Sequence, residues 1–296
     1  NGVTEDYVID ENGVGQEISA NGEYTITLVD KAGNSTTVTF TIDTKAPVVT
    51  LKDVRGKVLE PDKIYSFDVY AFVEDITECT ILLNGEEYKN GSKIWEKQEH
   101  ELVVTDAAGN SVTVNFEIDK AKPKITGVEN GESYTSAVTP VITDKNLDKV
   151  TLNDKEFVSG TTIIEDGDYK LVAVDKAGNK EIVNFTIDTT GPEATFDYSN
   201  RSSDGTFFTT QKDITVTLTV NEDLKVTPDG WKEAGERTYT RVHDANGTYT
   251  VILEDLLGNT TEVDYIVQKI DRKGPVIDIG ATEVTFKAGK DILTYP

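Results

Sequence analysis

"DKAGN" occupies residues 30–34 and returns unchanged at 175–179, with "DAAGN" at 106–110 and "DLLGN" at 255–259 completing a set of four. Successive copies begin 76, 69 and 80 residues apart. A reaction centre has little use for four copies in one polypeptide, whereas a folding device does. Each copy is preceded by an alternating run ("EYTITLVD", "HELVVTD", "DYKLVAVD", "TYTVILED") and followed by another ("STTVTFTID", "SVTVNFEID", "KEIVNFTID", "TTEVDYIV"). Period-two alternation rich in Val, Ile, Thr and aromatics predicts half-buried strands. Two strands joined by Asp-x-x-Gly-Asn make a hairpin, in which Gly supplies a positive φ and the Asp carboxylate accepts backbone N–H groups. No helix follows the glycine, which argues against a phosphate-cradling loop.

The frame extends in both directions. Tyr24, Tyr169 and Tyr249 each stand six residues before a motif Asp, after "NGE", "DGD" and "NGT"; His100 holds that place in the remaining copy. A Tyr opening the penultimate strand after a turn looks like the tyrosine corner of Greek-key sandwiches, with the hydroxyl bonded to nearby backbone. That gives His100 a structural role, and neither it nor His243, just before the turn in "RVHDANG", is expected to act as a catalytic base. Downstream come "IDTKAP" (42–47), "IDKAKP" (118–123), "IDTTGP" (187–192) and "IDRKGP" (270–275), whose prolines end one strand and stiffen the approach to the next. Then follow a first strand ("VVTL", "KITG", "EATF", "VIDI") and a second ending in acid ("FDVYAFVED", "TPVITD", "ITVTLTVNED"). A third follows ("ECTILLNG", "DKVTLND", "LKVTPDG"). About seven short strands per repeat predict a two-sheet sandwich.

This frame divides the chain into a partial repeat at 1–44, whole repeats at 45–120, 121–189 and 190–272, and the opening of another at 273–296. The first partial repeat starts at its third strand, with "GVTEDYVIDENG" matching residues 148–160, and the last ends on "KDILT", matching "KDITV" at 212–216. Cropping of a longer array accounts for both ends. Exchange of terminal strands between chains is the alternative, and the missing half of a second strand weighs against it. "NGVTEDYVID" has neither the basic start nor the apolar core of a signal peptide, and the 296 residues contain no Met, so an internal segment of something larger is expected.

The formal charge of −24 argues against nucleic acid and anionic lipid as partners, because phosphate affinity comes from Lys and Arg. No apolar run is long enough to insert into a membrane. A single cysteine excludes an internal disulfide; Cys79, in "ECTILLN", is expected to pack as a small apolar side chain.

The frame G-x-Y-x-x-x-x-x-D-x-x-G-N, the strand ending F-x-I-D, and the D-x-x-x-P that follows resemble the bacterial immunoglobulin-like (Big) tandem repeats of surface proteins and adhesins. The second repeat departs from the pattern with "KQEH" and "DAAGN", and the fourth with its longer "YIVQKID". The resemblance implies an all-β fold of tandem immunoglobulin-like β-sandwiches arranged end to end, outside the cell or on a bacterial surface. It implies a stalk or spacer, with an unknown surface protein or glycan as partner if the repeats themselves bind. An accessory region of a secreted glycan-acting enzyme is a third reading.

No catalytic residues are assigned, since one Cys and two remote histidines form no triad and no His/Cys metal spacing exists. Carboxylates are the sharper signal. In an immunoglobulin-like sandwich the incoming chain, the loop between second and third strands, and the last hairpin meet at one pole. Sequence places an acid in all three: Asp43, Asp75 and Asp106; Asp119, Asp144 and Asp175; Asp188, Asp223 (with Glu222) and Asp255. Converging carboxylates repel unless a cation lies among them, and Ca²⁺ takes six to eight oxygens. The alternative is separate turn caps balanced by Lys31, Lys45 or Lys176. No other cofactor is expected. Trp95 fits a strand and is expected in the core, like Ile164 at the same offset. Trp231, in the turn-rich "DGWKEAGE", is the expected ligand-stacking residue, in the least regular repeat, with its insertion at 198–213.

Overall fold

The computed structural model describes residues 18–274 and 276, together with the backbone of the strand Asp6–Tyr7. Among them every regular element is a strand, and no helix is long and apolar enough to cross a membrane. The chain forms two compact units, residues 1–132 with 137–187, and residues 133–136 with 188–296. Of the expected start of a further repeat at 273–296, all but residues 273, 274 and 276 lies outside the described residues, the matched "KDILT" included.

In the first unit, residues 48–118 form two facing sheets. One runs Lys93–Ile94, Val69–Glu74, Val48–Lys52, Val58–Leu59. The other runs Ile64–Tyr65, Ser111–Ile118, Glu99–Asp106, Cys79–Leu83, Glu86–Glu87. Ile64–Tyr65 pairs in parallel with Ser111–Ile118, and the neighbours on the other side are antiparallel. In immunoglobulin lettering these are an E-B-A sheet, with Val58–Leu59 added at its edge, and an A′-G-F-C-C′ sheet. The alternation read from sequence sets the core: Val69, Ala71 and Val73 from one sheet meet Leu102, Val104, Phe116 and Ile118 from the other. Residues 124–187 repeat the plan. Lys124–Thr126 pairs with Val141–Thr143, and Lys180–Ile187, Gly167–Asp175, Leu147–Leu152 and Lys155–Glu156 lie side by side. The E strand is reduced there to the bridge Val138↔Ile163.

The hairpin Gly22–Val29 with Ser35–Ile42 gives the same F–G pair near the N-terminus. Asp6–Tyr7 pairs with Gly22–Val29 in parallel, unlike the antiparallel C–F pairs of the later repeats. The match to residues 148–160 is therefore not reproduced at these two residues, and the rest of that stretch lies outside the described residues.

The second unit carries a sheet ordered Ala194–Tyr198, Ile214–Val220, Thr238–His243, Lys232–Gly235, an A-B-E-D arrangement, facing the hairpin Gly247–Glu254 with Thr260–Val267. The expected third strand, residues 224–230, does not form. Only Leu224 bridges to Asp255. Pro228 offers no N–H to a ladder, Trp231 N–H turns back onto the Pro228 carbonyl, and the chain joins the other sheet at Lys232. What drives this departure is the Trp231 side chain. It is 5% exposed and packs 5.4 Å from the Tyr265 ring and 6.3 Å from Phe196. The assignment of Trp231 as an exposed ligand-stacking residue is therefore corrected: it is a core residue.

Trp95 is corrected in the opposite sense. It is 56% exposed, and Ile164 at the matching offset is 70% exposed, while the preceding Ile94 and Ile163 point inward. The equivalence of the two positions holds, and the inward register lies one residue earlier, because adjacent strand residues face opposite sides.

Candidate metal sites

The four Asp-x-x-Gly-Asn copies share one geometry. In the third, Asp175 Oδ1 accepts the Asn179 N–H at 2.8 Å, Asp175 Oδ2 accepts the Asn179 side-chain amide at 2.7 Å, and the Gly178 N–H donates to the Asp175 carbonyl at 3.1 Å. The motif glycines carry φ of +90°, +91°, +86° and +97°, the left-handed region that a side chain disfavours. Asn34, Asn110 and Asn259 bind Asp30, Asp106 and Asp255 in the same way.

The Asn has a second task. Its remaining amide hydrogen goes to the carbonyl of the acid that follows the preceding repeat: Asn110 to Asp43 at 3.3 Å, Asn179 to Asp119 at 2.8 Å and Asn259 to Asp188 at 2.9 Å. The hairpin tip thus pins the linker beside it. The linker acid closes a turn of its own, with Oδ1 accepting the N–H two residues on at Lys45, Ala121 and Thr190. Asp75 and Asp144 do likewise with Thr77 and Asn146.

These three turns bring the carboxylates together. Asp43, Asp75 and Asp106 each offer an oxygen within 4.8 Å of the others, as do Asp119, Asp144 and Asp175, and Asp188, Glu222 and Asp255. Eight of the nine acids singled out from sequence thus converge in these groups. Asp223 does not; Glu222 takes the place, and Asp223 is bound by the Arg237 Nε at 2.9 Å. The two acids lie in the bend that follows the strand Ile214–Val220, where the Arg237 bond draws Asp223 away and Glu222 turns into the cluster.

Burial and charge differ among the members. Asp106, Asp175 and Asp255 are buried, and the others are partly or well exposed. Burial works to raise the Asp106 and Asp255 carboxyls, but the Asn110 and Asn259 side chains and the turn amides outweigh it and hold both below the ordinary Asp value. Glu222 moves the other way: burial pushes its carboxyl up, and the charges of Asp188 and Asp255 push it further. Several neighbouring cations serve other carboxylates. Lys145 binds Glu99 and Glu117, Lys122 binds Glu181, and Lys225 binds Glu254. The second group also holds an amide, with Asn146 Nδ2 donating to Asp119 Oδ2 at 2.8 Å and to Glu117 at 3.0 Å. In the first, Thr77 Oγ1 donates to Asp43 at 3.3 Å. The all-oxygen donor set of each group fits a hard cation such as Ca²⁺ better than Zn²⁺, which prefers nitrogen and sulfur.

Cys79 is half-buried against the core of its sandwich, opposite Asp106 in the ladder, where Leu147 and Leu224 stand opposite Asp175 and Asp255. Burial raises its thiol, with Asp75, Asp106 and Asp43 adding to the effect, so it is a packing group of low nucleophilicity. The tyrosine corners form as expected. The hydroxyls of Tyr24, Tyr169 and Tyr249 donate to the carbonyls of Ala20, Glu165 and Ala245, four residues upstream, at 2.7, 2.7 and 3.1 Å. His100 reproduces the bond with Nε2–H donating to Glu96 at 3.0 Å, and its Nδ1 receives the Asn84 amide. His243 is buried beneath Tyr249 and Tyr265.

No family model matches the chain. Among curated proteins, the outer cell wall protein of Brevibacillus brevis is 33% identical over 152 residues, covering 50% of this chain. The aligned part is 13% of that protein's own length. Solved structures that align with this chain include the eight N-terminal immunoglobulin domains of Down syndrome cell adhesion molecule (12% identity, 84% of this chain and 46% of that one, TM-score 0.31). A three-domain titin fragment aligns at 9% identity, 75% and 98% coverage and TM-score 0.35. A bacterial ice-binding adhesin aligns at 16% identity, 75% and 97% coverage and TM-score 0.21. At these scores the immunoglobulin-like assignment rests on the strand order and tyrosine corners described above.

Proposed function

We propose that this chain is a non-enzymatic stalk or spacer segment of a bacterial cell-surface protein, stiffened by Ca²⁺ at its three carboxylate groups. The observation that carries the reading is recurrence. The same three structural positions, the linker acid, the loop between B and C strands, and the buried hairpin Asp, converge in each of three repeats. A turn needs one capping carboxylate. Three within 4.8 Å raise one another's energy unless a cation is shared. A cation held there ties the linker to the hairpin tip through bonds stronger than the single Asn amide. The surface location draws support from the cell wall protein of Brevibacillus brevis, of which the alignment covers 13%.

The test is calorimetric titration with Ca²⁺ of the wild-type chain and of a variant carrying Asp75→Asn, Asp144→Asn and Glu222→Gln. These substitutions remove charge and keep an acceptor for the loop amides. The wild type should take up three ions and the variant none. Equal heats for the two proteins contradict the reading.

A second reading, that the repeats contact a surface protein or glycan themselves, is favoured by the exposed Trp95, which a sugar ring could stack upon. Loss of glycan-array binding on Trp95→Ala would support it, and unchanged binding would remove it.

A further inference from the structure

Repeat four differs from its siblings along one strand edge. In the repeats at 48–118 and 124–187 the F strand lies between G and C. In residues 190–272 the F strand Gly247–Glu254 pairs with G alone, and C contributes the single bridge at Leu224.

Which backbone groups this leaves open follows from parity. Asp255 N–H donates to the Asn259 carbonyl at 3.0 Å, so the odd-numbered residues of the F strand bond to G. Thr248, Thr250, Ile252 and Glu254 direct N–H and C=O to the opposite side. The Lys225 N–H reaching the Glu254 carbonyl at 2.9 Å fixes that direction. In the siblings the same edge is filled. Asn84 N–H donates to Glu101 O and its side-chain oxygen accepts Glu101 N–H, both at 2.8 Å. Asn153 does the same for Lys170 at 3.0 and 2.8 Å, and the strand before each Asn covers the rest. Among the described residues nothing takes the corresponding groups of Thr248, Thr250 and Ile252.

We propose that this edge is a docking site for an extended, cationic peptide strand supplied by a partner protein. Main-chain bonding to Thr248, Thr250 and Ile252 would supply the pairing. The side chains beside the edge define the guest. Thr250 faces Asp264, bound Oγ1 to Oδ1 at 2.7 Å, and Ile252 faces Glu262. Ile252 is 64% exposed and Glu262 and Asp264 are exposed beside it. These four side chains share the outer face, so a strand with lysine or arginine at every second position turns its cations outward over Ile252 toward the acids. The β-branched residues between them turn inward, as Ile81 and Val150 do on the C strands of the siblings. A second copy of this chain does not fit, because its own F edge would present Thr248, Thr250, Ile252 and Glu254 on that face and no cation.

The experiment has two parts on the full chain. Amide hydrogen exchange is measured first: Thr250 and Ile252 should exchange at least tenfold faster than Val103 and Thr105, which pair with the C strand of the second repeat. Equal protection means that the chain covers its own edge, and overturns the proposal. Fluorescence anisotropy then follows a labelled nine-residue peptide of alternating lysine and valine, and the same peptide with alternate amides N-methylated. The free-amide peptide should bind at least tenfold more tightly. That preference should vanish in Thr250→Pro, which removes an outward N–H and leaves the F–G ladder intact. Binding of both peptides should weaken in Glu262→Lys with Asp264→Lys, which leaves the edge backbone unaltered if Thr250→Pro fails to fold. Indifference to methylation overturns the proposal. So does unchanged binding by the charge-reversed protein, or self-association through this edge in sedimentation.

Discussion

The side chain of Asn179 bonds two segments 60 residues apart, donating to the backbone carbonyl of Asp119 at 2.8 Å while its other hydrogen holds Asp175. The same pair of bonds recurs at Asn110 and Asn259. The last residue of Asp-x-x-Gly-Asn is therefore what connects one repeat's hairpin to the linker that reaches it. Asn179→Ala leaves a part-buried carbonyl and a buried carboxylate each short of a donor. It should destabilise by about 1–3 kcal/mol. Chemical denaturation of the variant against the wild type checks this, and Asn34→Ala, at an exposed turn with no such linker bond among the described residues, should cost less.

The two tryptophans should behave oppositely. Trp231→Ala empties a core lined by Phe196 and Tyr265 and should cost about 3–5 kcal/mol. Trp95→Ala, at an exposed position, should stay within about 0.5 kcal/mol. Denaturation followed by circular dichroism distinguishes them.

Repeat four should weaken in mild acid. His243 sits on the E strand opposite Ile214, where the siblings place Ile94 opposite Val69 and Ile163 opposite Val138. Its Nε2 meets the Tyr265 hydroxyl at 3.1 Å. Burial, with Arg241 adding to it and Asp244 opposing, holds its pKa below the ordinary 6.5. The unfolded chain therefore takes the proton first. The stability of this repeat is whole above pH 6.5 and falls as pH drops from there toward the folded-state pKa, by up to about 1.4 kcal/mol per pH unit. Trp231 fluorescence, in a Trp95→Phe background, reports this repeat. His243→Ile should remove this destabilisation between pH 5 and 6.5, leaving the opposite contribution of the raised Glu222 carboxyl.

The carboxylate groups predict an exchange of rank. Without a cation, Asp75→Asn with Asp144→Asn and Glu222→Gln relieves repulsion, so this variant should melt above the wild type in EDTA. In millimolar Ca²⁺ the wild type should lead. Melting curves in the two buffers check the crossing.

Much of this was legible because it repeats. Four copies of one hairpin fixed the strand alternation, and the Tyr offset located a corner that His100 could fill. What escaped reading lies where a choice hangs on one residue of register. Trp95 was misplaced because alternation says that faces differ without saying which is inward, and Trp231 because the turn-rich "DGWKEAGE" offers no alternation to read. Glu222 and Asp223 are adjacent acids, and only backbone direction decides between them. The C strand of repeat four was lost to Trp231, whose demand for burial overrides the local β-propensity of "LKVTPDG". The linking role of the motif Asn had a sequence signal in its invariance across all four copies. Its partner, a backbone carbonyl, has none.

The most direct test of the central claim is thermal unfolding of the wild-type chain in EDTA and in millimolar Ca²⁺. A ligand confined to the folded state stabilises by about 2.7 kcal/mol per site at a hundredfold excess over its dissociation constant. A clear upward shift is expected in every transition that involves the three groups. Superimposable curves would contradict it, and would leave the carboxylates as turn caps on a spacer without metal.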